Sequence, residues 1–447
     1  MKRKILNDLI SWQKSRSRKP LIIRGVRQVG KTYILNEFGE RCFPRYHYVN
    51  FEKDRGLYKI FDKDLNPVRI IEELCFYLNR TIDLKNDLVI FDEIQECPQA
   101  LTSLKYFHEE MSELALCCAG SLLGIHLNSG SYPVGQVDLL SLYPMSFEEF
   151  LIATGDDKSL KIISTLDSPL EIPGIVHEHL WERLKHYFIV GGMPEAVKTY
   201  REHMKEDLYK AFSEVRKKQD TLVVAYFADM AKHSGKINAM HIDRIFRSVP
   251  VQLSSDHEGG AKKFKFKGVI PKVSGYDRIV NAIDWLEAAG LVIKAQIVNS
   301  GQVPFKAYTK ENTFKLFLFD VGILGSMMEL SAKAIMDYDY GSYKGFFAEN
   351  FVAQELLASG KEKSLYSWHE KRSEVEFLIE ADGKVIPVEV KSGWVTHAKS
   401  LKSFCDKYQP PYSVIVSAKN IDAAKGKKKR FYPLYLAGQV SRYLEHN

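Results

Sequence analysis

The chain has 447 residues, a formal charge of +7, 45% apolar residues and 27% charged residues. A single core stops growing at about 250–300 residues, so several domains are expected, and the composition excludes a disordered or fibrous chain. Six cysteines without a Cys-x-x-Cys pair exclude a disulfide scaffold and predict a reduced, cytoplasmic protein. The basic start Met1 to Lys4 leads into Ile5 to Ile10, which Asn7 and Asp8 interrupt, so no signal-peptide core is expected. The uncharged stretch from Leu114 to Leu127 is too short to span a bilayer, and no membrane role is expected.

In chain order, the first third alternates strand-like and helix-like segments. Strands are expected at Leu21 to Arg24, Tyr46 to Phe51, Leu88 to Asp92 and Leu114 to Ala119, with a helix after Gly30. Short apolar runs between helices predict an α/β fold with a parallel sheet covered on both faces. Residues Gly25, Val26, Arg27, Gln28, Val29, Gly30, Lys31 and Thr32 fit the phosphate-binding pattern G-x-x-x-x-G-K-[ST] between a strand and a helix. Glycines let backbone N–H groups close around phosphate oxygens, and the helix N-terminus adds positive potential. Lys31 is expected at the β- and γ-phosphates, and Thr32 supplies a hydroxyl to Mg²⁺. The apolar run Leu88 to Phe91 ends in Asp92 and Glu93, at the sheet edge where α/β folds bind ligands. Asp92 is expected to hold the hydrated Mg²⁺ and Glu93 to act as general base toward the attacking water. At the end of the next strand, Ser121 is either a contact to the γ-phosphate or a helix cap. The expected ligands are therefore ATP and Mg²⁺.

From about Leu160 to Gly235 the pattern is helical, with Trp181, Leu184, Tyr187 and Phe188 as a core stripe. Short helices, a lysine cluster at Lys262, Lys263, Lys265 and Lys267, and the strand-like Leu291 to Val298 follow. A helix from about Phe346 to Ala358 opens another α/β block. It continues with a strand at Leu365 to Trp368 and a hairpin turning at Asp382-Gly383. Strand alternation sets Glu376 beside Glu374, and Glu389 beside Lys391, so two acids and a lysine converge. Such a set can hold Mg²⁺ while the lysine positions a water for phosphodiester attack. The run Lys425 to Arg430 reads as a solvated basic loop.

Several of these segments resemble the AAA-type ATPases of bacteria and archaea whose P-loop domain is joined to a C-terminal domain of unknown function. The resemblance rests on Arg24 to Thr32, Phe91 to Gln95, Ala119 to Ser121, Tyr143 to Phe150 and Gly191 to Glu195, and covers nearly the whole chain. It implies an AAA-type ATPase domain at 1–160, a helical lid-like segment at 161–240 and a winged-helix-like segment at 241–335. Residues 336–447 resemble the PD-(D/E)xK nuclease fold, with Glu376 and Glu389 as acids, Lys391 as the lysine and Glu349 as the helix acid. That likeness implies a metal held by Glu349, Glu376 and Glu389. Many relatives carry an arginine where this chain has Gln136, and Arg183 and Arg216 are the candidates to supply that charge. Three functions fit: an ATPase driving a nuclease-like region on DNA, a nucleotide-dependent switch or scaffold for protein partners or self-association, or a DNA-binding regulator with a vestigial nuclease fold.

Overall fold

The computed structural model describes residues 1–120, 133, 135–164, 171–234, 236–255, 263–273, 275–337, 344–394, 397–424 and 426–445. The chain divides into two compact units, one of Lys2–Tyr143 with Ala288–Gly290, the other mainly of Pro144–Glu287 and Leu291–Asn447.

The first unit is built on five strands: β1 (Leu21–Arg24), β2 (Tyr46–Asn50), β3 (Leu88–Asp92), β4 (Ala115–Gly120) and β5 (Asp138–Ser141). They lie in the order β2-β3-β4-β1-β5, and all four pairings are parallel. Parallel neighbours need long crossovers, which helices such as Lys31–Cys42, Pro67–Leu78 and Pro98–Glu110 provide. Every residue of β3 and β4 is buried, as expected for strands covered on both faces. Phe51, Phe61, Phe91 and Phe107 meet edge-to-face with centroids 5.5–6.2 Å apart, closing the core on one side of the sheet. Cys117 and Cys118 are buried in β4 as small core residues.

The second unit combines helices with a seven-stranded sheet. Its strands are β6 (Val292–Val298), β7 (Thr309–Leu318), β8 (Leu365–Glu370), β9 (Ser373–Ala381), β10 (Lys384–Val390), β11 (Ser413–Ser417) and β12 (Lys429–Pro433). Their order is β12-β11-β10-β9-β8-β6-β7. Strands β8, β9 and β10 form an antiparallel meander, and Asp382 and Gly383 take φ of 51° and 73° in its second turn. Helix Lys399–Tyr408 then carries the chain to β11, which pairs parallel with β10. Strand β6 pairs parallel with β8, so β6 and β7, from the stretch expected to be winged-helix-like, extend the sheet of the C-terminal block. The basic run that leads into β12 is not solvated throughout: Arg430, the second residue of β12, is buried, with its guanidinium 3.7 Å from the Tyr412 ring centroid.

Two of the segments carrying the family resemblance interlock inside this unit. Ser146 and Glu149 form a reciprocal capping box at the start of helix Phe147–Ala153. The Phe147 N–H donates to Glu355 at 3.0 Å, and the Met145 N–H donates to the Gly192 carbonyl at 2.7 Å. In turn the Gly192 N–H donates to Asp320 at 2.6 Å, and Asp320 also accepts from the Ile323 N–H at 3.0 Å as the cap of helix Val321–Met327. These contacts tie the two segments together within the fold.

Asp320 is fully buried, and burial pushes its carboxyl up to about 6 against the opposing backbone hydrogen bonds. Because this lies above the unfolded value of 3.8, the native state keeps a proton that the unfolded chain releases. That stabilisation is complete below the unfolded value and is lost as pH rises through about 6. Unfolding stability is therefore expected to fall by about 3 kcal/mol across this window, and Asp320→Asn to flatten the slope. The urea midpoint measured against pH checks this, and equal slopes in both proteins would remove Asp320 as the source.

Candidate functional site

Between β1 and helix Lys31–Cys42 the loop Gly25 to Gly30 turns tightly over the end of the sheet. Gly25 packs so closely on the next segment that a Cβ there would lie 2.3 Å from the Leu142 carbonyl oxygen. Gly30, with φ of 99°, adopts the left-handed conformation that lets the chain enter the helix. Lys31 is the first helical residue, and its ammonium donates to the Gly25 and Val26 carbonyls at 2.9 and 3.1 Å. Burial pulls this amine down to about 8, opposed by Glu93 and Asp92 and reinforced by Arg27.

Strand β3 delivers Asp92 beside the loop. Its carboxylate accepts from the Thr32 hydroxyl at 2.9 Å, the Tyr48 hydroxyl at 2.6 Å and the Asn50 amide at 3.4 Å. Burial and this bond to Asp92 both push the Tyr48 phenol well above its usual range, so it stays a donor. Glu93 follows with φ of 50° and ψ of 44°, and its carboxylate accepts from the Gln95 amide at 2.6 Å. Thr32 and Asp92 thus form an oxygen-only pair of the kind that suits Mg²⁺. The expected Gly25–Thr32 loop, Asp92 and Glu93 are all brought together, whereas Ser121 lies outside the described residues.

Sequence reading missed three supports. Arg3 donates to the Val29 carbonyl at 3.2 Å and to the Tyr143 carbonyl at 2.6 Å, bracing the loop from far away in sequence. Tyr48 and Asn50 project from β2 toward Asp92, and only the register of β2 against β3 could have shown it. Arg183 and Arg216, candidates for the charge missing at Gln136, are engaged within the second unit. Arg183 donates to Tyr200 and Thr154 at 3.2 and 2.6 Å, and Arg216 donates to the Gly322 and Leu330 carbonyls at 3.2 and 3.1 Å.

A second constellation lies on the seven-stranded sheet. Lys391 and Glu389 form an ion pair at 2.6 Å, and Glu376 accepts from the Val390 N–H at 3.2 Å. Burial and the Glu376 carboxylate push the Glu389 carboxyl upward, with Lys391 opposing. Burial lowers the Lys391 ammonium, but Glu376 and Glu389 outweigh it and the net shift is upward. Glu349 faces Lys315 of β7 at 3.9 Å, and Lys315 also pairs with Glu374. Among the described residues, no three His, Cys, Asp or Glu side chains are arranged to hold a metal ion. Of the expected trio, Glu376 and Glu389 face each other, while Glu349 faces Lys315 and also acts electrostatically on Lys391.

Residues 17–151 match the family profile described as an AAA domain. This region is an AAA-type P-loop domain. Beyond the AAA domain, residues 181–334 and 344–437 match two profiles, each described as a domain of unknown function, DUF8612 and DUF4143. No curated protein matches the chain. Among solved structures, the Walker-type ATPase of Pyrococcus abyssi is 14% identical, with a TM-score of 0.47 over 73% of this chain and 95% of that one. The Aeropyrum pernix Orc1 protein, solved in complex with DNA, is 14% identical, with a TM-score of 0.30 over 74% and 92%. The Thermotoga maritima RuvB Holliday junction branch migration motor is 12% identical, with a TM-score of 0.32 over 69% and 94%. Likenesses this distant carry no functional argument. Among the described residues no helix is long and apolar enough to cross a membrane.

Replacing Tyr48 by Phe removes the shortest hydrogen bond to a buried carboxylate, so a loss of about 1–3 kcal/mol in unfolding stability is expected. Denaturant titration measures it, and an unchanged midpoint would mean that the bond contributes nothing net.

Proposed function

We propose that the AAA-type domain binds ATP with Mg²⁺ and hydrolyses it. The observation that carries this reading is the juxtaposition of the phosphate loop, its buried Lys31, and the Thr32–Asp92 pair at 2.9 Å. In this reading the backbone N–H groups from Gly25 to Gly30 and the Lys31 ammonium hold the phosphates. Thr32 and Asp92 hold the ion, which when bound neutralises charge on the β- and γ-phosphates. Glu93 orients the attacking water and accepts its proton. Ser121 is the proposed contact to the γ-phosphate.

In the same reading the second unit directs this cycle to DNA. Residues 161–240 form the lid-like helical segment, 241–335 the winged-helix-like segment and 336–447 the nuclease-like domain, the last two sharing one sheet. Support comes from the succession of helix Lys344–Ala358, strands β8, β9 and β10, helix Lys399–Tyr408 and strand β11, with Glu376, Glu389 and Lys391 converging. Lys263, Lys265 and Lys267 are exposed, while the intervening Phe264 is buried, a pattern suited to phosphate-backbone contact. One observation favours the switch reading instead: Gln95 holds the Glu93 carboxylate at 2.6 Å, and with Gln136 in place of arginine this predicts slow turnover.

Lys31→Ala is expected to reduce ATP affinity at least a hundredfold by calorimetry, and undiminished affinity would overturn the site. Glu93→Gln is expected to keep ATP affinity while lowering steady-state hydrolysis at least a hundredfold. Measured with and without duplex DNA, stimulation that vanishes in Glu93→Gln supports the DNA-directed ATPase. Tight binding with negligible turnover in both conditions supports the switch.

A further inference from the structure

Lys315 has no role in the reading above, yet it is among the most buried charges of the protein. Its side chain is 1% exposed, in the apolar half of β7 between the buried Phe314 and Leu316. Burying an ammonium costs several kcal/mol unless counter-charges surround it, and an apolar side chain of similar size would serve packing better. Its counter-charges are Glu349 from helix Lys344–Ala358 and Glu374 from β9. Both belong to the neighbourhood of Glu376, Glu389 and Lys391: Glu349 acts electrostatically on Lys391, and Glu374 precedes Glu376 by one alternation of the strand.

The cluster thus gathers four carboxylates and two ammonium groups from β7, β9, β10, the residue directly after β10 and one helix. The two lysines are not equivalent. Lys391 is 27% exposed and sits on Glu389, whereas Lys315 is sealed in and faces Glu349 and Glu374. The oxygens of Glu349 and Glu374 face Lys315, whereas Glu389 Oε2 is buried without a donor among the described residues and the Glu376 carboxylate lies within hydrogen-bonding reach of Glu389, so this facing pair has a need that a cation would satisfy.

We propose that Lys315 is a built-in cation standing in for a second metal ion, so that the cluster takes a single divalent cation, held by Glu376 and Glu389. The inference rests on the nuclease-like reading and deepens it. Charge counting supports it: four carboxylates, two ammonium groups and one divalent cation balance to zero, whereas a second divalent ion would leave an uncompensated double charge in a buried site. Oxygen-only ligands select Mg²⁺ or Mn²⁺ over softer ions. Lys315 thereby acts as a positioning residue, holding Glu349 and Glu374 out of the coordination sphere.

The test is calorimetric titration of Mn²⁺ into the full chain without nucleotide, with ions assigned to the cluster by their loss in Glu389→Gln. Wild type is expected to bind one such ion. Lys315→Met removes the competing charge and frees two carboxylates, so it is expected to bind a second ion or to bind one at least tenfold tighter. Lys315→Arg retains the charge and is expected to match wild type. Glu374→Gln leaves Lys315 with less counter-charge and is expected to weaken Mn²⁺ several-fold, which provides a readout should Lys315→Met not fold. Two ions in wild type, or Mn²⁺ binding unchanged in Lys315→Met or Glu374→Gln, would overturn the role of Lys315 while leaving the nuclease-like reading standing. Absence of any ion sensitive to Glu389→Gln in every variant would overturn both.

Discussion

Strand β1 is hydrogen-bonded on both edges, parallel to β4 on one side and β5 on the other, and the first unit depends on that double pairing. A strand so held cannot slide or tilt, so the chain must leave the sheet at one place and in one direction. The Leu142 N–H donates to the Arg24 carbonyl at 2.8 Å, carrying the β5 connection past Gly25 and leaving room there for no side chain. From that anchor the loop has six residues in which to reverse into a helix, and Lys31 arrives at the helix start with its amine directed back at the loop carbonyls. Strand β3, two places away in the sheet, then needs only its own register to set Asp92 against Thr32.

The second unit is organised by buried polar groups. Asp320, Glu355 and Tyr187 satisfy backbone groups of the stretches around Met145 and Gly192, which would otherwise be left without partners in a dry interior. A segment can identify a family because it is hard to replace structurally, without touching a ligand. The charged cluster on the seven-stranded sheet is different in kind, since Lys315 and Glu349 are more costly to bury than the apolar residues that could fill their places.

Much of this was legible in the sequence, for physical reasons. The phosphate loop combines a short spacing rule with a strand before it and a helix after it, and β1, β3 and β4 are mainly apolar runs, whereas β2 (Tyr46–Asn50) alternates in burial. The hairpin from β9 to β10 declared itself through Asp382-Gly383, because few other pairs accept two positive φ angles. The convergence of Glu376, Glu389 and Lys391 followed from alternation alone. What escaped were single residues acting across long sequence distances: Arg3 on the loop, Tyr48 on Asp92, Asp320 on Gly192 and Lys315 on Glu374. No periodicity marks them, and each becomes meaningful only when sheet order is known. The contact of Glu349 with Lys315 escaped for the same reason, since Lys315 lies on β7, outside the block read from Phe346 onward.

The backbone at Glu93 has a consequence for how this site can change over time. A left-handed conformation costs a residue with a side chain about 1–2 kcal/mol, while glycine adopts it freely. Glycine is therefore the residue that folding alone would choose at this position, and asparagine the next. A carboxylate there has to be kept against a steady mutational pull toward a more stable but chemically mute loop. The strained backbone makes position 93 a place where improvement of the fold and retention of the acid are opposed.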